Sequence, residues 1–198
     1  MCGIAGIFHP STPTPVDPNR IQAMIAALAH RGPDGDGIWT APGVGLGHRR
    51  LSIIDLEGSP QPMSDGDLTI SYNGEIYNFA ELRADLIAGG ARFRTAGDTE
   101  VLLHGWRAWG PSMLDRLNGM FAFAIHDAGA RALFLARDRL GVKPLRLCRA
   151  GGRVGGVCLR AEGPARQPAG PARARSVRDR GLHGARLRPR RRLVWSRA

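Results

Sequence analysis

Apolar and polar positions change period several times along the chain, and each change predicts an element. The run "CGIAGIF" is apolar without alternation, which predicts a buried strand with small residues where backbones approach closely. In "DPNRIQAMIAALAHRG" the positions Ile21, Met24, Ile25 and Leu28 share one helical face. Asp17 is placed to cap that helix, Pro18 suits its first turn, and Gly32-Pro33 ends it. "VGLGHRRLSIID" predicts one or two strands, and "LTISYNGEIYN" a strand, a tight Asn-Gly turn and a short strand. "NFAELRADLIAGG" predicts a helix with a capping box from Asn78 to Glu81 and a Gly-Gly stop. "DTEVLLHGWRAWG" predicts a helix capped by Asp98, with Val101, Leu102, Trp106 and Trp109 facing inward. "GMFAFAIHD" and "ALFLARD" form a hairpin across "AGAR". Antiparallel strands with helices in blocks predict an α+β layered fold.

Beyond "GVKPL" the pattern decays. Of the 53 residues in 146–198, 35 are Arg, Gly, Ala or Pro, and no regular structure is predicted there. Charge breaks at the same point. Residues 1–145 hold 13 Lys+Arg and 15 Asp+Glu, net −2, whereas 146–198 hold 15 Arg and 2 acids, net +13. The overall charge of +11 therefore belongs to the tail and says nothing about the partners of the domain.

Apolar stretches such as 23–29 and 120–125 are too short to span a membrane. The first basic residue is Arg20, and no long apolar segment opens the chain, so no signal peptide is expected. Cys2, Cys148 and Cys158 are widely spaced with no C-x-x-C, which predicts neither a metal site nor a disulfide framework. A cytoplasmic location is the expectation.

Cys2 raises a chemical question. Removal of Met1 would make it the first residue, and a free α-amine has a pKa of about 7.7–8.0. One residue would then carry a nucleophile and a base that accepts its proton near neutral pH. The position alone also allows a cysteine that is second by accident. "GVGLG" lacks the lysine and helix of a phosphate loop. Trp39, Trp106 and Trp109 read as core, and His30, His48 and His104 show no ligand spacing.

Seven segments in order carry a resemblance: "MCGIAGIF", "HRGPDG", "GHRRLSIIDLEGSPQPM", "SYNGEIYNFAELRADL", "GDTEVLLHGW", "LNGMFAFAIHD" and "LFLARDRLGVKPL". Together they resemble the N-terminal glutaminase domain of the glutamine-hydrolysing asparagine synthetase family, class II amidotransferases, over residues 1–145. The resemblance implies an N-terminal-nucleophile hydrolase fold, a four-layer αββα sandwich of two antiparallel sheets, over residues 2–145. It implies that Cys2 attacks the side-chain amide of L-glutamine, with its own α-amine moving the proton, to give a thioester and ammonia. Asn73 (side chain) and Gly74 (backbone N–H) match the oxyanion hole, although on local sequence they are equally a plain turn. Arg50 matches the residue that holds the substrate carboxylate, for which a guanidinium fork is suited. Asp98 matches the carboxylate that holds the substrate ammonium, Glu75 lines the same pocket, and so do Leu51, Ser52, Ile53 and Ile54.

No cofactor is implied for glutamine hydrolysis. Complete family members continue into a synthetase domain that uses ATP and Mg, and no SGG-x-D-S loop for it occurs in this sequence. The tail has a specific reading. Residues 157–165, "VCLRAEGPA", back-translate one base over to the family-like string FASELKALL, and 180–189 to EDYMALGYVP. A frameshift near residues 145–147 is therefore expected, with the closing strands of the domain missing and the tail disordered. The alternatives are an Arg-rich nucleic-acid-binding tail on an inactive scaffold, or an amidotransferase with another carboxylate acceptor. No membrane and no specific nucleic-acid partner is expected.

Overall fold

The computed structural model describes residues 2–10, 12–51, 59–150, 156–160, 184–187 and 193–196. In chain order the elements begin with β1 (Gly3–Phe8), α1 (Pro18–Ala26), β2 (Gly35–Ala41), β3 (Val44–Arg50), β4 (Met63–Asp65) and β5 (Leu68–Ile76). Helices α2 (Phe79–Ala88) and α3 (Asp98–Trp109) follow, then a 3-10 segment Gly110–Asp115. The chain continues through β6 (Gly119–Asp127), β7 (Ala132–Arg137), β8 (Arg146–Ala150), β9 (Gly156–Arg160), β10 (Gly184–Leu187) and β11 (Leu193–Ser196).

The strands form two antiparallel sheets, ordered β2-β3-β1-β9-β8 and β11-β10-β7-β6-β5-β4. Period-two alternation decides what each face meets. In the first sheet Ala5 and Ile7 pack on Ile21, Ile25 and Leu28 around α1, while Phe8, Val44 and Leu46 face the second sheet. In the second sheet Phe121, Phe123, Ile125 and Phe134 join α2 and α3, while Ala122, Ala124, Leu133 and Leu135 face the first. The layers therefore run helix, sheet, sheet, helix, as the resemblance implied. Small residues let them close. A Cβ on Gly47 would lie 2.6 Å from Ile25 Cγ2 and one on Gly45 2.8 Å from Val16 Cγ1, so the "GVGLG" glycines serve helix packing. Full burial of Ile21, Ile25 and Leu28 contributes about 1.5–3 kcal/mol each.

Helix α1 starts as expected, with the Asp17 carboxylate accepting from Asn19 N–H at 2.9 Å and Pro18 in the first turn. Three expectations are corrected. Asn73-Gly74 is not a turn: β5 runs unbroken through it, paired with β6 from Leu68↔Asp127 to Ile76↔Gly119. Nine paired residues outweigh a local turn preference, and Gly74 is needed because a Cβ there would meet Met120 O at 2.3 Å. Asp98 does not cap α3; Gly97 holds the cap position, and the Asp98 carboxylate is bonded elsewhere. Asn78 holds the cap position of α2, its carbonyl accepting from Leu82 N–H, but its side chain does not bond the helix. Its amide instead donates to Arg116 O and accepts from Asn118 N–H.

Among the described residues of the tail, β9 pairs with β1 and β8 with β9, while β10 pairs with β7 and β11 with β10. The physical reason is that β1 and β7 each present an edge of backbone donors and acceptors, and pairing there uses the main chain rather than a side-chain period. Among the described residues no helix is long and apolar enough to cross a membrane.

Candidate active site

Cys2 immediately precedes β1, two residues before Ile4, which packs on Ala122 between the sheets. The pairing Gly3↔Arg49 brings the end of β3 alongside it. Leu51 N–H donates to Cys2 Sγ at 3.3 Å, and the thiol faces Leu51 O at 3.5 Å. Arg31 Nε donates to the Cys2 carbonyl at 3.2 Å. The sulfur and the main chain of Cys2 are thus each held by a separate segment, so this end of the chain is not frayed.

The second wall is the edge of β5. Strand β4 is only three residues long and covers β5 no further than Ile70. Beyond it the backbone groups of alternate residues point away from β6, as antiparallel ladders require. Phe121, opposite Gly74, bonds Asp138 with both its N–H and its C=O, which marks Gly74 as a position turned away from β6. On that open edge Tyr72 N–H donates to Gln61 Oε1 at 2.7 Å and Ile76 N–H to Asp98 Oδ2 at 3.0 Å. Gly74 N–H lies between them. Asn73 turns its side chain the other way, between the sheets. It is 1% exposed, and its Nδ2 has no hydrogen-bond partner. An amide donor left unpaired in the interior costs about 1–3 kcal/mol unless a ligand uses it.

Cys2, Arg50 and Leu51 from the first sheet, Asn73, Gly74 and Glu75 from the second, and Asp98 line one cavity of about 120 Å³. Ser52, Ile53 and Ile54 lie outside the described residues. Asp98 is buried at the start of α3, where its Oδ2 accepts from Tyr72 Oη at 2.6 Å as well as from Ile76. Burial, with the Glu75 charge, leaves its carboxyl above the ordinary aspartate range, although the Tyr72 and Ile76 donors pull it part of the way back. The Tyr72 phenol is pushed well above its ordinary value, first by burial and then by the Asp98 charge, so it remains a donor. His48 joins the sheets beneath the site, its Nε2 2.9 Å from Tyr72 O. A carbonyl only accepts, so Nε2 carries the proton.

The one cavity is thus lined by a thiol, the Asn73 amide and Gly74 of the β5 edge, a guanidinium and a carboxylate. Residues 1–161 match the family model of the glutamine amidotransferase domain. The chain belongs to that family. It is 45% identical over 148 residues to glutamine-hydrolyzing asparagine synthetase 3 of Bacillus subtilis, covering 73% of this chain and 24% of that protein. To asparagine synthetase B of Escherichia coli it is 39% identical over 147 residues, covering 73% and 26%. The chain thus spans about a quarter of the length of these curated relatives. Among solved structures, the glutamine phosphoribosylpyrophosphate amidotransferase of B. subtilis superposes with a TM-score of 0.62 at 24% identity, covering 80% of this chain and 41% of that one. An allosteric regulatory enzyme of purine biosynthesis superposes at 0.63 and 23% identity, covering 81% and 42%. These two show the fold, that of the N-terminal-nucleophile hydrolases.

Residues of this amidotransferase domain that no sequence pattern singled out also reach the cavity. Gln61, Tyr72, Thr99, Met120 and Lys143 line the cavity too. Lys143 is placed by the Asp138 carboxylate, which accepts from Val142, Lys143 and Phe121 N–H and so shapes the loop after β7. Arg31, which bonds the Cys2 carbonyl, lies in "HRGPDG". Among the described residues no group of three or more His, Cys, Asp or Glu could hold a metal ion.

Proposed function

We propose that this domain hydrolyses L-glutamine to glutamate and ammonia through a thioester on Cys2, as the nitrogen-supplying half of an ATP-dependent asparagine synthetase. The observation that carries the reading is the buried, unpartnered Asn73 Nδ2 on the same cavity as Cys2. With Met1 removed, the Cys2 α-amine takes the thiol proton and the sulfur attacks the carboxamide carbon. The C–S bond forms as the C=O electrons move to oxygen, and Asn73 Nδ2–H and Gly74 N–H receive that oxyanion. One such donor is worth about 2.7–4 kcal/mol of barrier. The α-ammonium then protonates the leaving nitrogen, the C–N bond breaks and ammonia departs. Water, deprotonated by the same amine, hydrolyses the thioester to release glutamate. Arg50 holds the substrate carboxylate and Asp98 its ammonium, with Glu75 and Leu51 flanking.

The glutaminase step needs no cofactor. ATP and Mg serve a synthetase domain that converts aspartate to asparagine with the ammonia produced here, and the setting is cytoplasmic. The tail beyond residue 145 is read as translation out of frame. Resequencing of the coding DNA that finds a missing or extra base near codons 145–147 supports that reading, and an intact frame in independent reads refutes it.

The test of function is ammonia release from glutamine by protein whose Met1 removal is verified by mass spectrometry. Activity that Cys2→Ala abolishes supports the proposal. A folded, processed protein that releases no ammonia refutes it.

A further inference from the structure

Tyr72 is bonded at all three of its polar groups. Its N–H donates to Gln61 Oε1 at 2.7 Å, its carbonyl accepts from His48 Nε2 at 2.9 Å, and its phenol donates to Asp98 Oδ2 at 2.6 Å. Gln61 Nε2 in turn donates to Thr99 Oγ1 at 3.3 Å, next to Asp98 in the chain. The bonds close a ring through the loop before β4, the open edge of β5 and the first turn of α3. The same residue is covalently joined to Asn73, which lines the same cavity as Asp98. The ring of Tyr72 itself sits in the apolar cluster under α2 and α3, 3% exposed.

From this geometry we infer that Tyr72 is a positioning residue, which orients the Asp98 carboxylate and sets its distance from the Asn73-Gly74 donors. The inference rests on the glutaminase reading and adds a specificity device to it. A glutamine molecule spans the cavity only if its ammonium and its amide are received at the same time. Two donors on one oxygen, Tyr72 Oη and Ile76 N–H, fix the carboxylate plane. Removing the phenolic hydroxyl leaves the carboxylate with the backbone donor alone of that pair, free to turn about it. The consequence is selective. Substrates with an α-ammonium lose an anchor, and an amide without one has nothing to lose.

The experiment compares glutamine with 4-carbamoylbutanoate, which keeps the amide and the carboxylate but lacks the α-amine. The readout is the ratio of kcat/KM for the two substrates. In Tyr72→Phe the ratio is expected to fall about 10- to 100-fold, the scale of one hydrogen bond to a charged group. In the Asp98→Asn background the same change should leave the ratio as it is, because the charge it orients is gone. An equal loss for both substrates would mean that Tyr72 merely supports the core, and overturns the inference. So does an undiminished effect in the Asp98→Asn background. Should the phenylalanine variant not fold, Gln61→Met loosens Tyr72 from its backbone side. A lowered ratio there supports the inference, and an unchanged one overturns it. Unmutated protein that hydrolyses neither amide points instead to failure of the glutaminase reading.

Discussion

Replacing His48 with glutamine should flatten the acid limb of the stability curve. His48 is fully buried between the sheets, with Nε2 on the Tyr72 carbonyl and Nδ1 without a partner. Protonation would place a charge and an unmatched N–H in that interior. Burial accordingly pushes its pKa from 6.5 down to about 4, with the Tyr72 bond opposing and the Arg50 charge assisting. Between these values the unfolded chain binds the proton and the folded chain does not, so stability falls as pH falls. With 1.36 kcal/mol per pKa unit, linkage gives a loss of about 2 kcal/mol between pH 7 and 5, and about 3 kcal/mol by pH 4. Glutamine can keep the donor to Tyr72 O without titrating. Urea unfolding of both proteins at half-unit steps from pH 7 to 4 isolates the term, because all other groups cancel in the difference. The unmutated protein should lose about 2 kcal/mol more than His48→Gln between pH 7 and 5. Parallel curves over that range would refute the reasoning and mean that His48 is already solvated or already charged.

Asn73→Ala should lower kcat about 10²- to 10³-fold, the cost of one oxyanion donor, with little change in KM, read by steady-state ammonia release. Gly74→Ala should destabilise the domain by about 1–3 kcal/mol in urea, since its Cβ would press Met120 O and Phe121 Cα. An unchanged midpoint would contradict the β5–β6 register. Glu100 is buried and accepts from Arg94 N–H, Thr95 N–H and Thr95 Oγ1, so it pins the loop before α3. Burial pushes its carboxyl up, and these bonds with His104 more than reverse that, leaving its pKa below the ordinary range. Glu100→Gln should therefore cost about 1.5–3 kcal/mol at neutral pH. That gap should close as pH falls through the depressed pKa, measured by unfolding at pH 7 and below 4.

Local pattern determines local elements, and there the sequence is sufficient. The Asp17 cap, the apolar face of α1, the buried β1 and the β6–β7 hairpin follow from spacings of a few residues, because the forces that form them act within that range. The motif order also led to the cavity, since Cys2, Arg50, Asn73, Gly74, Glu75 and Asp98 do meet there. What sequence pattern could not supply is how those groups are held. Asn73-Gly74 has the composition of a turn, and only pairing with β6, some 48 residues on, makes it a strand edge and leaves Asn73 Nδ2 buried without a partner. Asp98 has the composition of a cap, and only contact with Tyr72 across 26 residues takes its carboxylate into the site. Gln61, Arg31 and His48 lie in motif segments that assign them no role. Their partners are 11, 29 and 24 residues away, and no local preference records a bond that forms only when two sheets close on each other.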